Sequence, residues 1–213
     1  MSSQDQVVFV VDDDLRVREA LYELLASAGL NVVTFGSAAE YLAFPRPDMP
    51  ACLVLDVQLP DINGLELQSR MAAEQHPRIV FITGHGDIPS TVRAIKAGAV
   101  DFLTKPFSER DLLAAISSAI AQDRESRTRN AELVSLQRRL SVLTPREREV
   151  LPLVVAGLLN KQAAVELGIS EVTLQIHRRN VMQKMAAASL ADLVRMAEKL
   201  QIPVTHSRRA AEE

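Results

Sequence analysis

Five short apolar runs, each followed by a helical pattern, occupy the chain up to Ala121. Val7-Val8-Phe9-Val10-Val11 is apolar at every position, as a strand buried on both faces of a parallel sheet must be. The next segment sets Val17, Leu21, Leu24 and Leu25 on one helical face and stops at Gly29. Val32-Val33 then precedes a helix started by Ser37, and Leu53-Val54-Leu55 precedes one from about Gly64 to Gln75. Ile79-Val80-Phe81-Ile82 precedes one from about Pro89 to Ala97, and Val100 to Leu103 precedes a last helix beginning near Ser108. Five βα units in succession predict one α/β domain over residues 1–121, a doubly wound parallel five-stranded sheet. Sheets of this kind carry their sites at the carboxyl ends of the strands.

Those ends hold a coherent set. Strand one ends in Asp12-Asp13-Asp14, strand three in Asp56, strand four in Thr83 and strand five in Thr104-Lys105-Pro106. Each acidic residue alone is no more than a polar strand end. Together at one rim the carboxylates repel each other and call for a hard divalent cation with oxygen ligands, Mg²⁺ in the first instance, though other divalent cations can substitute. A lysine beside them can pair with a further anion, and a hydroxyl can donate to it. Asp56, on a central strand with cation and lysine close by, suits a nucleophile towards a phosphoryl group.

The stretches Val10-Val11-Asp12-Asp13-Asp14, Leu55 through Gly64, Ile82-Thr83-Gly84-His85-Gly86-Asp87 and Lys105-Pro106-Phe107 resemble the flavodoxin-like receiver domain of two-component response regulators over about residues 6–121. The resemblance implies that Asp56 accepts a phosphoryl group from the phosphohistidine of a sensor histidine kinase. It implies that Asp13, Asp56 and the main-chain carbonyl of Gln58 bind Mg²⁺, with Asp12 acting through a water. Lys105 would pair with the phosphoryl oxygens and Thr83 would be the switch hydroxyl. The Lys105-Pro106 bond would be cis, a state open essentially only before proline. Phe102 stands where the family often has Tyr, so a packing switch is retained and any step needing a phenol is excluded. His85 reads as an exposed loop histidine. A homodimer on phosphorylation is implied as well, with Val92, Ile95 and Lys96 as candidate contacts.

Charge divides the chain at the same boundary. Up to Ala121 there are nine basic and 16 acidic residues, and from Gln122 there are 15 and 11. An acidic part before a basic one suggests two domains with different partners. The 213 residues, 47% apolar and 24% charged, fit two small globular domains. No apolar run approaches the roughly 20 residues of a membrane span, and no signal peptide is visible, so the expectation is a cytoplasmic protein without a membrane partner. Cys52, the single cysteine, excludes an internal disulfide.

Residues 122–141 are read as a helical linker. Asp123-Arg124-Glu125-Ser126-Arg127 would also suit a flexible one. Leu133, Leu136, Leu140 and Leu143 follow the 3-4-3 spacing of a short coiled coil, and a helix packed on its own domain satisfies the same pattern.

A second domain is expected over residues 142–201, before a disordered tail at 202–213. Thr144-Pro145-Arg146-Glu147 is a helix start, with a capping hydroxyl, Pro in the first turn and Glu at the third position. Val150, Leu151, Leu153, Val154 and Leu158 make its buried face. Asn160 is the expected cap of a short helix, Lys161 to Leu167, stopped by Gly168; Ser170 caps a third helix reaching about Met185. Short helix, glycine turn and Ser-capped helix spell an all-α helix-turn-helix domain, and the third helix is rich in His177, Arg178, Arg179 and Lys184.

Leu143 through Leu151, Gly157 through Ala164, and Leu167-Gly168-Ile169-Ser170 with Thr173 and His177 resemble the LuxR-type DNA-binding domain. The resemblance implies that Gln175, Ile176 and Arg179 face base edges, while Lys161, Thr173, Arg178 and Lys184 contact phosphates. Gln175 departs from the Lys of many relatives, and Gln reads adenine where Lys prefers guanine. His177 reads as structural. A last helix, Ser189 to Leu200, offers Leu190, Leu193, Val194 and Ala197 for dimerisation on DNA.

Taken whole, the chain resembles the FixJ subgroup of the FixJ/NarL response regulators. The resemblance implies a phosphorylation-controlled transcription regulator that binds double-stranded promoter DNA and works with RNA polymerase. It is not expected to be an enzyme beyond catalysing its own phosphoryl transfer and dephosphorylation. An Asp-nucleophile phosphohydrolase would share Asp56 and Mg²⁺ but commonly needs a second Asp two positions on, where this chain has Gln58. A receiver-type adaptor would leave the basic helix from Ser170 to Lys184 without purpose.

Overall fold

The computed structural model describes residues 6–71, 76–84 and 86–203. These fall into two compact units that divide between Thr128 and Arg129.

In the first unit the strands are β1 (Val7–Val11), β2 (Asn31–Phe35), β3 (Ala51–Asp56), β4 (Arg78–Thr83) and β5 (Asp101–Thr104). All are parallel, in the order β2-β1-β3-β4-β5. Between and after them lie α1 (Leu15–Ser27), α2 (Ala38–Ala43), α3 (Gly64–Met71), α4 (Ile88–Lys96) and α5 (Glu109–Ser141). The expected continuation of α3 to Gln75 lies outside the described residues.

Strand alternation explains why β1 and β3 have no polar face. Val7, Phe9 and Val11 join one core with Tyr41 of α2, Leu67 of α3 and Ala94 of α4. Val8 and Val10 join the opposite core with Leu21 and Leu25 of α1 and Leu112 and Ile116 of α5. Both faces of the sheet are covered, so the central strands must be apolar throughout, and polar chemistry is confined to their ends.

α5 is one helix of 33 residues where the sequence left a flexible linker open. Asp123 is buried on it, and its carboxylate accepts from the N–H of Ala51, the first residue of β3, at 3.0 Å and from Arg127 Nε at 2.7 Å. Arg127 also donates to Asp48 at 2.7 Å. A charge run that would also suit a flexible linker thus anchors the helix to the foot of the sheet.

The remainder of α5 belongs to the second unit with α6 (Pro145–Val155), α7 (Asn160–Leu167), α8 (Glu171–Met185) and α9 (Leu190–Lys199). Of the two readings left open for the leucine seam, the in-chain one is observed. Leu136 and Leu143 are buried, Leu140 packs on the core of this unit, and Glu132 pairs with Lys199 of α9. Leu193 and Ala197 of the expected dimerisation face are likewise buried within the chain, which leaves Leu190 and Val194 exposed. The cap of α7 is Leu159 rather than Asn160, its N–H donating to Gln162 Oε1 at 3.0 Å, because Asn160 is already the first helical residue. Gly168 ends α7 at φ 64°, a left-handed turn that a side chain would strain.

No described helix is long and apolar enough to cross a membrane.

Candidate functional site

β1 and β3 end side by side, and the chain turns immediately after each. Asp14 caps α1 by accepting from Arg16 N–H at 2.8 Å, so the acidic run must turn back across the strand ends. Arg18 Nη1 holds that turn, donating to the carbonyls of Asp12 at 2.7 Å and Asp13 at 2.9 Å. After β3, Gly64 lies so close to the backbone of Asp56 that a Cβ there would sit 2.4 Å from the Asp56 carbonyl oxygen. Only glycine lets α3 begin against the strand end.

The result is a cluster in which one carboxylate oxygen from each of Asp12, Asp13 and Asp56 lies within 4.8 Å of the others. Asp12 is fully buried and Asp13 is exposed. Lys105 Nζ stands 2.6 Å from Asp12 Oδ2 and 3.7 Å from Asp56 Oδ2. Burial pushes the Asp56 carboxyl above the usual carboxylate range; Lys105 offsets part of this and the Asp12 carboxylate adds to it. Asp56 Oδ1 is buried and has no hydrogen-bond partner among the described residues. An orphaned buried oxygen within an all-oxygen, acidic donor set fits a hard divalent cation.

Around this cluster, Thr83 is fully buried at the end of β4, and its carbonyl accepts the Lys105 N–H at 2.7 Å. The Lys105-Pro106 bond is cis. Phe102 on β5 is half-buried with its ring 6.0 Å from that of Phe81. Gln58 is exposed and bridges to Asn63 across the turn after β3. His85 lies outside the described residues.

In the second unit, the hydroxyl of Ser170 caps α8 by accepting from Thr173 N–H at 3.1 Å. Leu174, Val181 and Met185 turn inward, which directs Gln175, Ile176 and Arg179 to solvent. Lys161, at the start of α7, is also exposed. Two of the basic residues are engaged internally: Arg178 donates to Asn160 Oδ1 at 2.9 Å, and Lys184 to Glu147 Oε2 at 2.7 Å. Glu147 in turn accepts from the N–H of Thr144 at 2.8 Å, and the Lys184 ammonium beside it holds its carboxyl down at about 2. His177 is half-buried, with Nδ1 unpartnered among the described residues.

A receiver-like cluster and a helix-turn-helix on one chain find matches in known proteins. The model of the response regulator receiver domain matches residues 8–117, and that of the bacterial regulatory proteins of the luxR family matches residues 141–197. Nodulation protein W of Bradyrhizobium diazoefficiens is 50% identical over 209 residues, 98% of this chain and 92% of that relative. The chain belongs to the FixJ/NarL response regulators. The regulator is also 43% identical over 195 residues to the transcriptional regulatory protein FixJ of Rhizobium meliloti, covering 91% of its own length and 95% of the relative's. Among solved structures, response regulator StyR matches with a TM-score of 0.80 at 50% identity, covering 92% of the regulator and 99% of that chain. It is therefore a phosphorylation-controlled, DNA-binding transcription regulator of a two-component system.

Sequence reasoning missed three features of the regulator. Arg18 gives no signal in a linear reading, because it acts on the backbone of residues five and six positions earlier. Ile88, 80% exposed at the start of α4, is the most exposed large apolar residue of the described chain. Val172, exposed on α8 near Gln175 and Ile176, gives no signal of its own in a linear reading.

Proposed function

We propose that Asp56 is the phosphoacceptor. The observation that carries this is its buried, unpartnered Oδ1 at the end of β3, within reach of Lys105. A carboxylate oxygen of Asp56 attacks the phosphorus of a kinase phosphohistidine; the O–P bond forms as the N–P bond breaks and the imidazole leaves. Asp13, Asp56 and the carbonyl of Gln58 would hold Mg²⁺, with Asp12 behind them. The cation supplies neutralisation of charge on the transferring oxygens.

The phosphoryl group adds about −1.5 to −2 charge and three strong acceptors. Lys105 then has a second anion to serve besides Asp12, and Thr83 a new acceptor. Both sit where β4 and β5 meet α4, and the Phe102 ring packs into the same region. Ile88, Val92 and Ile95 form an exposed apolar set on α4, and the reading is that the switch joins two copies there, with Lys96 at its edge. Pairing two helix-turn-helix units raises their effective concentration for a paired half-site on promoter DNA, where RNA polymerase is met in the cytoplasm. In α8, Gln175, Ile176 and Arg179 are the base-facing residues; Lys161 and Thr173 take phosphates, and Arg178 and Lys184 can reach them only by sharing their present partners. Hydrolysis of the acyl phosphate resets the chain.

The test is covalent. Incubation with a labelled small-molecule phosphodonor and Mg²⁺ should label the chain at one acid-stable, alkali-labile site, lost in Asp56→Asn. Labelling retained in Asp56→Asn contradicts the assignment.

A further inference from the structure

On α8 the exposed side chains form one stripe. Val172, Gln175, Ile176 and Arg179 lie at i, i+3, i+4 and i+7, the spacing that puts residues on one helical face. Val172 is 68% exposed and Ile176 56%. A lone surface valine needs no explanation. This one occupies the first turn of the helix that follows the glycine turn, the part of a helix-turn-helix that meets base edges. Among the described residues it takes no part in the apolar core that α8 joins, which gathers on the opposite face with Leu174 and Val181.

The edge of a major groove offers hydrogen-bonding groups at every base pair and one apolar group, the C5 methyl of thymine. An isopropyl side chain can make no hydrogen bond, so it discriminates only by covering that methyl. We propose that Val172 is a specificity residue that reads a thymine methyl in the operator, separately from Ile176 one turn further along. This rests on α8 being the groove-entering helix.

The test uses the full chain activated with beryllium fluoride and Mg²⁺. Binding sites are first selected from a random duplex library, and each thymine of the selected site is then replaced by deoxyuridine, which removes the methyl alone. Wild type should lose about four-fold in affinity at one thymine per half-site, the worth of one methyl transferred from water. Val172→Ala, a change that an exposed helix tolerates, should bind that site more weakly and be indifferent to the same deoxyuridine. Ile176→Ala should keep the full response there. The proposal is overturned if Val172→Ala responds to every deoxyuridine as wild type does, or if no replacement affects wild type. If wild type selects a sequence and Arg179→Ala selects the same one with equal preference, the groove-entering helix is misassigned and the proposal falls with it; a relaxed preference in Arg179→Ala with an unaltered Val172→Ala overturns the Val172 role alone.

Discussion

Lys105 Nζ is 2.6 Å from Asp12 Oδ2 and 3.7 Å from Asp56 Oδ2, so the lysine at the acidic cluster is committed first to Asp12 and only second to Asp56. Asp12 is fully buried, and its other oxygen accepts the Asp14 N–H at 3.0 Å. This pair holds the site together while leaving Asp56 Oδ1 buried and without a hydrogen-bond partner among the described residues.

Lys105→Ala should therefore destabilise the first unit by about 3 kcal/mol, because it leaves a buried carboxylate without its cation. Added Mg²⁺ should recover part of that loss, since a divalent ion compensates the same charges. Urea unfolding with and without Mg²⁺ measures both effects, and a variant as stable as wild type in metal-free buffer contradicts the ion pair's role.

Asp56→Asn should do the opposite. Burial raises the Asp56 carboxyl, with Lys105 offsetting part of the rise and Asp12 adding to it. A carboxyl raised in the folded state binds protons more tightly there than when unfolded. Its ionisation therefore opposes folding increasingly as pH rises through the unfolded and then the folded value. The neutral amide removes that cost, so the variant should be more stable at pH 7 by about 1 kcal/mol, as relief at functional sites commonly is. The gain should vanish at pH low enough to protonate Asp56 in both states. Melting curves across that range decide it.

The alternation of apolar runs and helical patterns was legible because burial on both faces leaves a strand no polar position, and the acidic strand ends stood out against it. What remained hidden depends on partners distant in sequence. Asp123 looks like any member of a charged helical run, yet it is buried because the N–H of Ala51 and the guanidinium of Arg127 meet it. The leucine seam showed a buried face but not which surface buries it. The resemblance to the LuxR-type domain implies that Lys184 and Arg178 contact phosphates; that Glu147 and Asn160 pair with them is a property of how three helices pack.

The Glu147–Lys184 pair sets a pH limit for the second unit. Lys184 donating to it, with the Thr144 contacts in support, lowers the Glu147 carboxyl to about 2. A depressed carboxyl gives stability that is fully present above its unfolded value and is lost as pH falls towards the folded one. Calorimetry should show the second unit's transition falling between about pH 4.5 and 2, the ordinary Glu value and the folded one. Glu147→Gln should flatten that dependence and lower stability at pH 7 by about 2 kcal/mol.

On DNA, Arg179→Ala should relax base preference, whereas Lys161→Ala should weaken all sequences alike and reduce the salt dependence by about one counterion. Competition binding with selected and random duplexes at several salt concentrations separates the two. Equal loss of preference in both variants contradicts the assignment of roles.

The most direct test of Asp56 as the switch is sedimentation mass in Mg²⁺, with and without beryllium fluoride, for wild type and Asp56→Asn. The account predicts a shift from monomer to dimer on adding beryllium fluoride to wild type and none in the variant. An unchanged wild-type mass, or the same shift in Asp56→Asn, contradicts it.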